Sequence, residues 1–140
     1  MTRRRRNRTA QLRSERGQTI VEFALVGPIL IVLLLAIAQG GIAFNHYLAV
    51  TDAARAGSRE AIMARISSLS VATIQQTAKD AAGDLNASQV GVTVSDPTDP
   101  TLQTSGSSVT VTVTYPYSIN LLGWVVSSGN LTSSMTDRLE

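Results

Sequence analysis

The sequence has no cysteine and only one histidine, His46. Without cysteine the chain forms no disulfide and offers no thiol for catalysis or metal binding, and its redox compartment is left open. A metal site would need carboxylates almost alone, and the spacing of a calcium-binding loop is absent. A serine–histidine–aspartate triad would depend on His46 as its base. We therefore expect no catalytic residues, no metal site and no cofactor, and we do not expect an enzyme.

Charged side chains are missing from a long internal stretch, because no Asp, Glu, Lys or Arg occurs from Phe23 to Thr51. A mainly apolar run, Ile20–Ala38, overlaps this stretch, and Glu22 is its one charged residue. A helix rises about 1.5 Å per residue, so about 20 residues cross the hydrocarbon core of a membrane. The core helix of a soluble domain is the alternative, but such a helix is rarely apolar on every face. The sequence therefore predicts a transmembrane helix over residues 18–44.

Basic residues are concentrated before this helix. Seven of the twelve Lys and Arg residues precede Gly17, whereas five basic and nine acidic side chains follow it, a net charge of −4. Residues 1–17 have no hydrophobic periodicity, which predicts a disordered basic leader. An arginine block can bind nucleic acid, but this one lacks aromatic residues, and we expect no nucleic-acid partner. Arginines flanking a membrane helix stay in the cytoplasm, so the N-terminus is predicted inside and the rest of the chain outside.

Two features of the apolar run predict that the helix does more than anchor the chain in a membrane. Gly27–Pro28 lies inside it, and proline removes a backbone donor and clashes with the preceding turn, so a kink or local unwinding is expected. Ala36 and Gly40 have the spacing of small residues that lets membrane helices approach closely. The chain is therefore expected to oligomerise through its N-terminal helix.

The remaining residues, 45–140, predict a small external α+β domain, helical over 45–85 and strand-rich over 89–140. Asp52, Arg55 and Arg59 share one helix face, and small side chains occupy the other. A second helix is predicted from about Val71 to Leu85, ending near Gly83. The outer part of the long helix or this second helix is expected to cover one face of the sheet.

Alternating residues predict an antiparallel sheet of about three to four strands. Valines alternate with small or polar residues in two stretches, and the residues that carry this pattern are Val90, Val92, Val94, Val109, Val111, Val113 and Tyr115. Leu131, Met135 and Leu139 have the spacing of one strand face, and Pro116 predicts a strand edge or end. Tyr117–Val126 is apolar, and its structure is not assigned by pattern.

The junction between leader and helix reads RGQTIVEFAL over residues 16–25. Its single acid, Glu22, is costly if it faces lipid, although at the membrane surface it would complement the positive end of the helix dipole. The junction resembles a prepilin cleavage site, and residues 14–61 more closely resemble the TadE-like family, minor pilins of the tight-adherence (Flp) type IVb pilus system.

That resemblance implies cleavage between Gly17 and Gln18 by a prepilin peptidase, and pairing of Glu22 with the new α-amine of a neighbouring subunit. It further implies other pilins and assembly-platform proteins as partners, together with membrane lipid. The location would be the bacterial inner membrane, with passage into a surface pilus. An external domain of this size favours a role in assembly or initiation over that of the main filament subunit.

Two alternatives remain open. Ala36-Ile37-Ala38 before Gln39 resembles a signal-peptidase site, which would release a soluble domain. A signal-anchored protein whose outer domain binds a ligand or the cell wall is the other.

Overall fold

The computed structural model describes residues 8–67, 70–96 and 106–138, with side chains described for 17–63, 70–96 and 106–138. It is an α+β structure, as predicted. The elements in chain order are α1 (Arg8–Ser67), α2 (Val71–Ala81), β1 (Gly91–Ser95), β2 (Ser108–Leu121) and β3 (Trp124–Arg138). The chain divides into two compact units, Met1–Ala38 and Gln39–Glu140.

Helix α1 contains the apolar run and starts earlier than the sequence pattern predicts. The expected disorder of the leader is wrong for residues 8–17, which are helical; residues 1–7 lie outside the described part of the chain. Alanine, leucine, glutamine and arginine have high helix propensity, and extending an existing helix avoids the cost of nucleation. α1 also stays helical on both sides of Pro28, so local unwinding is not observed there, and the kink stays a prediction.

Helix α2 begins and ends with recognisable caps. The Ser70 hydroxyl accepts a hydrogen bond from the Thr73 amide at 3.3 Å, which satisfies one of the free donors of the first turn. Lys79 lies in the last turn, where a cation complements the helix dipole. The helix ends before Gly83, whose φ of 61° lies in the left-handed region. The predicted second helix is thus confirmed, with its end a few residues earlier than expected.

The sheet has the strand order β1-β2-β3 and is antiparallel throughout. Its inner face carries the predicted valines: Val92 lies opposite Val113, and Val111 lies opposite Met135. The outer face carries hydroxyl pairs across β2 and β3, such as Thr112 Oγ1 and Ser134 Oγ at 2.8 Å. Three strands are present among the described residues, within the predicted range.

Pro116 lies inside β2 rather than at its end. The pairing of β1 with β2 stops at Gly91 and Thr114, whereas β3 continues alongside, with Asn130 opposite Pro116. On its β1 side, β2 is therefore an open edge at the proline. A residue without an amide proton is tolerated there because no ladder hydrogen bond is needed on the open side. The predicted edge is confirmed, and the predicted strand end is wrong.

The segment that the pattern left unassigned forms the far end of a hairpin. β2 continues to Leu121, two residues make the turn, and β3 starts at Trp124. The turn residues Leu122 and Gly123 have φ values of 52° and 88°. Two positive φ values in a two-residue loop match the twist of antiparallel strands.

The core lies within the unit Gln39–Glu140, between the sheet and both helices. The predicted small-residue face of α1 is confirmed, because it packs here while Asp52, Arg55 and Arg59 stay exposed. The fully buried apolar residues are Val50, Ala53, Ala54, Ala61, Ile74, Ala78, Ala82, Val109, Val111 and Val113. Leu131 and Met135 pack partly against them, and Leu139 lies outside the described residues.

Candidate functional site

The predicted processing and assembly residues lie on the first part of α1. Gly17 and Gln18 are exposed, and a Cβ at Gly17 would meet nothing within 4 Å. Glu22 follows Gly17 by five residues, a rise of about 7.5 Å along a helix. The bond between Gly17 and Gln18 is therefore accessible from the side, although it lies within a helical stretch.

Gln18 and Glu22 are brought together by helical spacing. Gln18 Nε2 donates a hydrogen bond to Glu22 Oε1 at 3.0 Å. Residues four apart face each other on a helix, so this contact follows from the sequence separation alone. The donor is neutral, and among the described residues no cation lies in ion-pair contact with Glu22. The carboxylate is held in position, but its charge is not compensated by that contact.

The predicted helix-packing residues are open. A Cβ at Gly40 or Gly41 would meet nothing within 4 Å, and Ala36 is half-buried one turn away. Gly27, beside Pro28, is also open. A neighbouring helix could therefore approach the backbone closely at these positions. The structure does not bring these residues together with Glu22, because they follow one another along a single helix.

One helix in the described part of the chain has the length and apolar composition needed to cross a membrane, Gly17–Met63, and its most apolar window is not buried by the rest of the protein. A lipid environment would cover those side chains. In the same described part, no group of three or more histidine and acidic residues is placed to hold a metal ion.

The sequence pattern predicted neither the tertiary contacts of His46 nor the structure at the far end of the hairpin. The His46 ring meets Tyr115 edge-on, with centroids 5.4 Å apart and planes at 78°. Both residues line a shallow pocket together with Gln39 and Ser118. Nothing in the sequence indicated this ring contact, because Tyr115 follows His46 by almost seventy positions and only tertiary packing joins them.

Residues 17–59 match the protein family described as TadE-like protein. The match starts at the glycine of the predicted cleavage site and ends within α1, so α2 and the sheet lie outside it. It confirms the family resemblance over that part of the chain. No curated protein and no solved structure matches the chain.

Proposed function

We propose that this chain is a minor pilin or pseudopilin of a tight-adherence type IVb pilus, acting in assembly or initiation of the filament. The observation that carries the proposal is the family match that begins at Gly17 and includes the acid five residues later. The family is one of structural proteins rather than enzymes, which agrees with the absence of a catalytic arrangement in the sequence.

The proposed location of the protein follows from its membrane-spanning helix. Residues 18–44 cross the bacterial inner membrane, the arginine-rich leader stays in the cytoplasm, and residues 45–140 lie outside. Cleavage after Gly17 by a prepilin peptidase removes all seven leader arginines. Those charges would otherwise hold the chain at the cytoplasmic face, because moving them through lipid is costly. Their removal makes transfer from the membrane into a filament feasible.

Glu22 supplies the assembly contact. In the single chain its carboxylate receives one hydrogen bond from a neutral amide, that of Gln18. Cleavage gives Gln18 a charged α-amine, and the same group on a neighbouring subunit would neutralise Glu22. A charge in a low-dielectric helix bundle is stable only when it is paired, so this contact fixes the register between subunits. Ala36 and Gly40 allow the helices to approach.

Replacing Glu22 with alanine is expected to leave leader cleavage intact and to abolish stable association with partner pilins. Removing one member of a buried ion pair costs about 3–5 kcal/mol, because the other charge is left unpaired. Co-purification of partner pilins from detergent-solubilised membranes, and the amount of sheared surface pili, would measure the effect. Glu22→Gln separates the contribution of the charge from that of the hydrogen bond, since it keeps a hydrogen-bonding group beside Gln18 but removes the charge.

Asp52→Ala is the matched control, because it removes an exposed carboxylate from the same helix. Its ion pair with Arg55, at 3.3 Å, is exposed and is worth about 0–1 kcal/mol. We expect normal pili from this variant. Normal pili and normal partner recovery with Glu22→Ala would contradict the charge pairing.

A secreted or surface-anchored binding domain is the second candidate, and one observation favours it. The boundary between the two compact units lies between Ala38 and Gln39, where the signal-peptidase pattern predicts cleavage. Against it, α1 is helical across that boundary and the family match continues through it. Sequencing the N-terminus of the processed protein decides: Gln18 supports the pilin, Gln39 supports the secreted domain, and Met1 or Thr2 supports a signal-anchored protein.

A further inference from the structure

The residue after the proposed cleavage site is a glutamine, and a glutamine that begins a chain can react with its own α-amine. In the uncut chain the backbone nitrogen of Gln18 belongs to the peptide bond with Gly17 and cannot attack. Cleavage turns that nitrogen into a free amine, beside a side-chain carboxamide that is exposed to solvent. The two groups that form pyroglutamate are therefore first present together in the mature chain.

The reaction is a cyclisation within one residue, and it balances without another reactant. The unprotonated α-amine of Gln18 attacks the side-chain Cδ, the new Cδ–N bond closes a lactam ring, and the bond between Cδ and Nε2 breaks. A proton passes from the attacking nitrogen to Nε2, which leaves as ammonia. The lactam nitrogen carries no charge, so the product offers no cation to the Glu22 carboxylate of a neighbouring subunit.

The contact between Gln18 and Glu22 opposes this reaction by its direction. Gln18 Nε2 donates to Glu22 Oε1 at 3.0 Å, so the atom that is held belongs to the leaving group. Glu22 lies further along α1 by about 6 Å, at roughly 1.5 Å per residue, whereas the α-nitrogen of Gln18 lies on the N-terminal side of its Cα. A carboxamide bonded to Glu22 is therefore directed away from the amine that attacks it.

The same contact opposes the reaction electronically. An amide that donates a hydrogen bond to an anion gains electron density from that charge-assisted contact. The Cδ of Gln18 is then less open to attack by an amine, and Nε2 leaves less readily. Loss of the Glu22 carboxylate removes both effects together.

We propose that Gln18 is a modification site, which cyclises to pyroglutamate after the leader is removed, and that Glu22 slows this reaction by holding the Gln18 carboxamide. This inference rests on the cleavage in the proposed function and deepens it. The charged α-amine has a limited lifetime, so a mature subunit that stays unassembled loses the cation needed for pairing. Glu22 thus preserves the amine of its own chain before it binds that of a neighbour.

The experiment follows the α-amine of the mature chain over time. The chain is purified in detergent from cells that process it, incubated at neutral pH, and sampled for intact mass and for labelling of its free α-amine. Cyclisation lowers the mass by one ammonia, abolishes the labelling, and creates an N-terminus that pyroglutamyl peptidase removes. We expect progressive cyclisation of the wild type, and recovery of partner pilins that falls as the cyclised fraction rises.

Glu22→Ala should cyclise about two-fold faster than the wild type, the size expected for an exposed pair four residues apart on a helix. Glu22→Gln keeps a neutral acceptor and should fall between the two. Asp52→Ala is the matched control, because it removes an exposed carboxylate from the same helix, and its rate should equal that of the wild type. Gln18→Ala cannot form the lactam, so its amine should remain labelled throughout.

Equal rates in wild type and both Glu22 variants would overturn the restraint by Glu22. A wild-type amine that persists without loss of mass would overturn the modification and leave the proposed cleavage intact. A purified chain that still begins at Met1 would instead overturn the cleavage, and this inference with it.

Discussion

Replacing Gly17 with leucine is expected to stop removal of the leader, so that the chain keeps its original N-terminus. Two physical reasons act together. A leucine side chain obstructs the approach of a peptidase to the backbone, and it stabilises the helix in which the bond lies. Glycine is about 1 kcal/mol less favourable than alanine inside a helix, so Gly17 eases the local unwinding that presents an extended backbone for cleavage. N-terminal sequencing and the shift in electrophoretic mobility would measure the loss.

The structure indicates that this substitution can change processing without changing the fold. A Cβ at Gly17 meets nothing within 4 Å, so the variant chain is not expected to fold differently. Gly41→Leu is a suitable control, because that glycine lies in the same helix and is equally open, and it should be processed normally. Gly17→Ala should give partial processing. A Gln18 N-terminus from Gly17→Leu would refute cleavage that depends on this glycine.

Replacing Gly57 with leucine is expected to destabilise the external unit by about 1–3 kcal/mol, the usual cost of overpacking a core. A Cβ at this position would lie 2.9 Å from Val111 Cγ1 and 3.1 Å from Ala78 Cβ. Valine is branched at Cβ and cannot rotate away freely, and Ala78 belongs to the packed face of α2. The glycine is therefore a position at which α1, α2 and β2 are in close contact. The better helix propensity of leucine offsets only part of this cost.

The effect should appear as a lower midpoint for loss of the β-sheet circular dichroism signal on heating the full chain in detergent. A domain of about this size loses roughly 4–8 °C per kcal/mol. Arg59→Leu tests the same new side chain two residues further along the helix, where the native side chain is exposed. Its effect should stay within about 0.5 kcal/mol. Equal midpoints for Gly57→Leu and wild type would show that the three elements are not in the contact described.

Local and periodic features were readable from the sequence. The apolar run can be recognised without knowledge of its tertiary contacts, because its composition alone favours lipid over water. The charged face of Asp52, Arg55 and Arg59 and the valines of β2 repeat with the periods of a helix and a strand. The candidate site was predictable for the same reason: Gly17, Gln18 and Glu22 lie within two helical turns, so their spacing in the sequence fixes their spacing in space.

The far end of the hairpin was not predicted, because Pro116 interrupts the strand pattern and the turn lacks its usual residues. Full burial ends at Tyr115, although half-buried and exposed residues still alternate from Pro116 to Leu121. The turn is Leu-Gly rather than Asn-Gly, and leucine does not mark a positive φ. Pairing with β3 supplies the missing information, since Pro116 to Leu121 are strand residues only because Asn130 to Trp124 lie opposite them.

The amino-acid sequence alone is enough to predict the long apolar helix, the charge asymmetry across Gly17, the position of Glu22 and the presence of strands after the second helix. These depend on composition and on contacts within a few residues. Only tertiary packing establishes the close contact at Gly57, the contact of His46 with Tyr115 and the pairing of β2 with β3 that places Trp124 beside the turn. Each of these joins residues far apart in the chain, and their positions follow from packing rather than from local preference.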